Sequence, residues 1–221
     1  MIHRHNADLY VSATSIYHWL HTDEHRRPLL PCLRRYGCRR RRNPPKNSRK
    51  RSILGRPEVI NRRERLGDWE GDLIVGCGHG GALVSLVERF SGLVLLAKTP
   101  DRKSLSINRV IRSLLQPFPP QLRRSLTLDN GSEFAAQEQL SRELGIEIYF
   151  AAPRAPWQRG TSENTNGLVR QYFPKGTNFR HTTAREIAAV QAELNDRPRK
   201  RLGYYTPNEI LQPTVIATLQ T

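Results

Sequence analysis

The chain is poor in sulfur, in aromatic rings and in negative charge: 221 residues hold 3 cysteines, 1 methionine and 7% aromatic residues, and only 20 Asp and Glu stand against 36 Lys and Arg. Cys32, Cys38 and Cys77 are odd in number and form no C-x-x-C pair. A disulfide framework is therefore excluded as the organising device, and reduced thiols are expected. His21, His25, Cys32 and Cys38 have the ligand chemistry of a zinc site, but their spacing fits no zinc-finger pattern and the arginines around them oppose a cation. No apolar run is long enough to span a bilayer, and the N-terminus has no apolar core of a secretory signal. The expectation is a cytoplasmic protein with no membrane partner.

The shortage of acid leaves a formal charge of +16 and a pI near 10.7, which calls for a polyanionic partner. Residues 1–65 hold 17 Lys and Arg against 5 acids, leaving 19 against 15 in the remaining chain, so the charge is concentrated in the first third. The densest run, RRYGCRRRRNPPKNSRKR at 34–51, includes Arg39, Arg40, Arg41 and Arg42 and is broken by Pro44 and Pro45. Such a run buries no core and reads as a DNA-binding linker. A hydrophobic fraction of 37% supports one good-sized core with an appendage.

Along the chain, VSATSIYHWL (11–20) reads as a short helix entered through Ser12 or Thr14. From Leu66 the texture becomes that of a sheet: GDWEGDLIVG, GALVSLVERFSG and LVLLAKT are three successive antiparallel strand candidates with Ser91 and Gly92 in a turn. Residues 104–116 show helical spacing of Leu105, Val110, Ile111, Leu114 and Leu115 and are stopped by prolines. SLTLDN is a short strand, residues 132–144 a helix closed by Gly145, and IEIYFA a further strand. This strand, helix and strand read as a parallel crossover. Residues 182–195 form an amphipathic helix, and TPNEIL one last capped turn. The order predicts an α/β ribonuclease H-like fold, a five-stranded mixed sheet flanked by helices.

Three acids fall where that topology converges. Asp72 lies within the first strand among Leu73, Ile74 and Val75, where a charge is costly without a partner. Asp129 ends the fourth strand, although Asp-Asn-Gly is also a favoured turn sequence. Glu163 stands in the first turn of a helix, with Thr161 or Ser162 expected as its N-cap. Around it Trp157, Arg159, Arg170, Tyr172 and Lys175 mix aromatic faces with cations, which suits a phosphate backbone and unstacked bases. Asn130 and Glu133 flank Asp129 and are candidates to orient it. His79, in a Gly-rich turn, carries no catalytic expectation.

WEGDLIVG, TLDNGSEF and RGTSENTNGLVRQYFPKG resemble the three acidic motifs of bacterial insertion-sequence transposases of the DDE type, most closely the IS-thirty family, with a retroviral-integrase-like catalytic core. The likeness runs from GRPEVINRRERLGDWEGD through LVERFSG to LNDRPRKRLGYYTPNEIL, and 33 residues separate Asp129 from Glu163 as in that family. Where NENTNGL is the commoner family form, this chain has Ser162 before the glutamate. The resemblance implies a DNA transposase in which Asp72, Asp129 and Glu163 are catalytic and hold two Mg²⁺ or Mn²⁺ ions. It also implies DNA ends and target duplex as substrates, and a homo-oligomer that pairs two ends. DNA contacts are expected from Trp157, Arg159, Arg170 and Lys175. Family members carry helix-turn-helix modules ahead of the catalytic domain, and residues 11–20 resemble only the last helix of that region. The expected organisation is a truncated helix-turn-helix remnant at 1–33, a basic linker at 34–65 and an integrase-like core at 66–221. The alternative is a non-productive DNA-binding remnant of a transposase.

Overall fold

The computed structural model describes residues 11–32, 50–78, 81–152 and 155–212. It divides into a unit of residues 1–47 and a larger unit of residues 48–221. In the first, α1 (Ala13–His21) starts at Ser12, whose side chain accepts the Ser15 N–H. It is followed by 3-10 turns over Glu24–Cys32, and the Arg26 guanidinium lies 4.2 Å from the centre of the Trp19 ring. The run that includes Arg39, Arg40, Arg41, Arg42 and Cys38 lies outside the described residues, as does His79.

The larger unit is built on a sheet of order β3-β2-β1-β4-β5, formed by Asp68–Val75 (β1), Ala82–Glu88 (β2), Val94–Thr99 (β3), Ser125–Leu128 (β4) and Glu147–Phe150 (β5). β1, β2 and β3 pair antiparallel, whereas β4 joins β1, and β5 joins β4, in parallel. This is the mixed sheet expected of a ribonuclease H-like domain. The chain enters it earlier than the expected linker boundary at 65. Ser52 bridges Phe150 at the sheet edge, a short helix α2 (Glu58–Arg62) follows, and Ile53 and Ile60 are buried.

The pleat sorts side chains onto two faces. On one, Trp69, Val84, Leu86, Leu126 and Leu128 pack with Ile107, Ile111 and Leu115 of α3 (Ser104–Leu115) and Leu140 and Leu144 of α4 (Gln137–Leu144). On the other, Ile74, Leu83, Val87, Val94 and Leu96 meet Val169 of α5 (Gly160–Tyr172) and Ile187, Val190 and Leu194 of α6 (Ala184–Asn195). Gly71 belongs to the α3 face. A Cβ there would come within 2.7 Å of Leu128 Cδ2, so the missing side chain is what lets the leucines close over the middle of β1. The turn at Pro207 packs Leu211 into the same cluster.

Two local expectations are corrected. Residues 132–144 are not one helix: a 3-10 turn spans Ser132–Phe134 and α4 starts only at Gln137. Phe134 is anchored in the core, and Asn108 of α3 donates to the Ala136 carbonyl at 2.7 Å, which breaks the helical ladder there. Nor does Thr161 or Ser162 cap α5; Ser162 lies buried inside its first turn.

At the sheet edge, α6 stands in for a missing strand. Asn195 accepts the Val94 N–H and donates to the Val94 carbonyl, both at 2.8 Å, and Gln191 accepts the Leu96 N–H at 2.7 Å. These contacts satisfy β3 groups that would otherwise recruit another strand. Asn195→Leu is therefore expected to destabilise the fold by about 1–3 kcal/mol for each backbone group left unpaired. Urea unfolding of both proteins checks this, and an unchanged midpoint would refute it.

Candidate active site

Period-two spacing places Glu70, Asp72 and Ile74 on the face of β1 that α5 covers. Two hydrogen bonds then pin α5 to this strand. The Ser162 N–H donates to Glu70 Oε2 at 2.8 Å, and Asn166 Nδ2 donates to Asp72 Oδ2 at 2.8 Å. Glu163 lies between the two pins, one turn from Asn166 on the same flank, because residues three apart on a helix are neighbours. Its carboxylate is exposed and makes no hydrogen bond or ion pair among the described residues.

Glu70 supplies the N-terminal cap that the local sequence does not. A carboxylate beside the first-turn amides answers both their unpaired N–H groups and the positive end of the helix dipole. It is fully buried, and its charge is balanced by Arg89, itself only 5% exposed, whose Nε also donates to the Ile60 carbonyl at 3.1 Å. Burial together with the charges of Arg56 and Arg63 pushes the Arg89 pKa down to about 9.

Asp129 follows β4 directly, so it sits at the C-terminal edge of the strand next to β1. Its Oδ1 accepts the Gly131 N–H at 2.8 Å, as a turn residue does, while its Oδ2 turns toward Arg159. Arg159 joins the two aspartates. Its guanidinium lies 3.3 Å from Asp72 Oδ1 and 3.7 Å from Asp129 Oδ2 and is only 12% exposed. Asp129 is thus held at one oxygen by a neutral donor and turns the other toward Arg159, whereas Asp72 has a neutral donor at each oxygen, Asn166 at Oδ2 and the Leu73 N–H at Oδ1, and shares Oδ1 with the same positive charge. Two carboxylates this close repel unless a cation stands between them, and here the guanidinium fills that role.

The other predicted residues are placed as follows. Arg159, expected on DNA, faces inward. Arg170 is also engaged internally, donating to the carbonyls of Val75, Phe173 and Pro174, where it ties the end of α5 to the end of β1. Trp157 is 74% exposed in the 3-10 turn Pro156–Arg159, and Lys175 is exposed. Asn130 does not orient Asp129; it donates to the Ala151 carbonyl and ties the loop to the end of β5. Lys50, over the Phe150 ring at 4.4 Å, brings a further cation near Asp129 and Glu133; burial pushes its pKa down and these two acids oppose that. Glu70 and Asn166 went unnoticed in the sequence, although E-G-D in a strand already puts two acids on one face.

As the side chains stand, no group of three or more His, Cys, Asp or Glu among the described residues could hold a metal ion. Asp72 and Asp129 converge on Arg159, and Glu163, one turn along α5 from Asn166, is exposed to solvent. The donor chemistry nevertheless fits a divalent cation. Carboxylate oxygens are hard ligands of the kind Mg²⁺ and Mn²⁺ take, and the site already gathers its two aspartates around positive charge.

The integrase core domain family matches residues 62–156. The chain is 42% identical to the transposase for insertion sequence element IS1086 of Cupriavidus metallidurans, over 92% of this chain and 63% of that protein. It is 39% identical to the transposase for insertion sequence element IS4351 of Bacteroides fragilis, over 90% of this chain and 63% of the relative. With transposase InsI for insertion sequence element IS30A of Escherichia coli it shares 42% identity over 75% of this chain and 43% of the relative. The chain thus spans under two thirds of the length of these proteins. Among solved structures, the catalytic core domain of BIV integrase superposes with a TM-score of 0.52 at 24% identity, covering 69% of this chain and 98% of that one, a likeness of fold.

Proposed function

We propose that this chain is a bacterial insertion-sequence transposase with an integrase core, as its relatives support, and that it cleaves DNA phosphodiester bonds at element ends and joins the freed 3′ hydroxyl to target DNA, with Asp72, Asp129 and Glu163 as its catalytic acids. The observation that carries this reading is the double pin of α5 on β1. Glu70 and Asp72 hold Ser162 and Asn166, which bracket Glu163 on α5, and Asp72 is paired with Asp129 around a positive charge.

Asp72 and Asp129 would hold a Mg²⁺ or Mn²⁺ ion through the oxygens they now turn toward Arg159, and Glu163 would complete the ligand set. The ions supply activation of the attacking oxygen and neutralisation of the leaving one. The chain's own part is positional. Asn166 and the Leu73 N–H fix the two oxygens of Asp72, and the Gly131 N–H fixes one of Asp129, so the pair is oriented before any ligand arrives. Arg159 carries the positive charge that holds the two aspartates together. Glu163 lies on a helix whose head is fixed by Glu70 and whose next turn is tied to Asp72 through Asn166. A water molecule serves as nucleophile in cleavage and the freed 3′ hydroxyl in joining, and both reactions use the same carboxylates.

Incubating the full chain with supercoiled plasmid and with labelled duplex, in Mg²⁺, Mn²⁺ or EDTA, tests this. Nicks that leave 3′ hydroxyls, appear only with the divalent ion and vanish in an Asp129→Asn protein are expected. Absence of metal-dependent nicking, or equal nicking by the variant, would sink the proposal.

A further inference from the structure

Two adjoining hollows open beside the head of α5, sharing Arg63 and Gly160 in their walls. They run along the flank that carries Thr161 and Asn164, not the flank of Asn166. Arg56, Arg63 and the exposed Trp157 line one part; Arg199, Lys200 and Arg201 line the other. No Asp or Glu lines either hollow.

The cations here repel one another. Burial pushes the guanidinium pKa of Arg56, Arg89 and Arg201 down, and the charge on Arg63 pushes each the same way. Arg89 is answered by Glu70, but the others are not ion-paired: Arg56 donates to Thr127 and Asn61, Arg199 to the Leu194 carbonyl and Arg201 to the Phe90 carbonyl. The side chains of Arg63 and Lys200 have no hydrogen-bond or ion-pair partner among the described residues, and Arg199 Nε is buried without one. Arg63 is moreover held in the left-handed region at φ 57°, as the residue that closes α2. Asp68, acting on Arg56 and Arg89, and Glu88, acting on Arg201, offset part of this repulsion, and the cations that stay without an ion pair form a surface that an extended anion would relax.

We infer that this groove is a second nucleic-acid surface of the core, which carries the phosphodiester backbone of duplex DNA across the flank of α5 opposite the acids. Spaced cations over more than one turn of chain suit a backbone better than a single phosphate, and Trp157 at the rim adds a flat apolar face for a sugar or an unstacked base. The inference rests on DNA being the substrate proposed above.

The test measures binding of the full chain to a labelled duplex of arbitrary sequence across a salt series, for wild type and for an Arg63→Asn/Lys200→Gln protein. Asn is chosen because it tolerates the left-handed backbone at position 63. Loss of two phosphate contacts is expected to make the slope of log K against log salt shallower by about 1.8, so that between 50 and 200 mM salt the wild type loses about twelvefold more affinity than the variant. Arg63→Lys/Lys200→Arg should bind as wild type does, and Arg62→Gln, which removes a neighbouring cation paired to Glu58, should leave the slope alone. Melting curves show whether the variants are folded; if the double variant is not, a Lys200→Gln protein carries the test, with a slope change of about 0.9. Wild-type slope and affinity in a folded variant, with nicking by wild type intact, would overturn the groove and leave the proposed chemistry standing. A shallower slope in a protein that never nicks DNA would support the groove and count against the chemistry.

Discussion

Asp72→Asn, Asp129→Asn and Glu163→Gln are each expected to lower metal-dependent strand cleavage by roughly a thousandfold or more, and any two together to cost little beyond one. The three carboxylates act as one ligand set, so losing a member removes the function of the set and not a third of it. Their effects on folding should differ. Glu163 is exposed and unpaired, so Glu163→Gln should leave stability within about 0.5 kcal/mol of wild type. Asp72 and Asp129 share the Arg159 guanidinium, and neutralising either leaves that buried cation with one counterion. Cleavage rates beside denaturation curves for each variant check this. A Glu163→Gln protein that keeps a tenth of wild-type activity would remove Glu163 from the catalytic set.

The second large effect is expected at Glu70. Glu70→Leu leaves Arg89 buried without its partner and the Ser162 N–H unanswered, at a cost of about 3–5 kcal/mol. Replacing both members, Glu70→Leu with Arg89→Met, should recover much of that loss, because a buried ion pair and a well-packed apolar pair of similar volume are often near equal. Activity should not recover with it. The double variant still lacks the carboxylate that holds the head of α5 against β1, so Glu163 is no longer fixed beside Asp72, and cleavage should stay at least about tenfold below wild type. Denaturation and cleavage measured on the same preparations separate the two effects. A double variant as active as wild type would make the pair purely structural. Glu70→Gln keeps an acceptor for Ser162 but not the charge, and should fall between.

Glu70 and Glu163 differ in how far each could be read from the chain alone. Glu163, Asp129 and Asp72 stand in short motifs at recognisable spacings, and the strands that carry them show β-branched runs between turn residues. The 3.6-residue spacing of Ile107, Ile111 and Leu115, the glycine that closes α4 at Gly145 and the capping box of Thr183 with Glu186 are local as well. Each depends on residues within a turn or two of one another, where backbone sterics and nearby hydrogen bonds decide the outcome. The sheet order follows from the same elements, since hairpins and a strand-helix-strand crossover leave few ways to connect them.

Only the tertiary structure decided who partners whom across the sheet. Ser162 had a good capping residue's chemistry, yet the cap of α5 comes from Glu70, separated from it by 92 positions in the chain. Arg159 and Arg170 looked like DNA contacts because they are cations beside a substrate site, but one closes on Asp72 and Asp129 and the other on three carbonyls. Asn195 finishes the edge of β3, and Asn108 breaks a helix by taking the Ala136 carbonyl. Local pattern and motif suffice for the strands, most of the helices and their order, and they single out Asp72, Asp129 and Glu163 as candidates. They do not determine which charges and amides are satisfied by which, since a buried polar group must find a partner wherever folding brings one within about 3 Å, and that neighbour is set by the packing of distant segments.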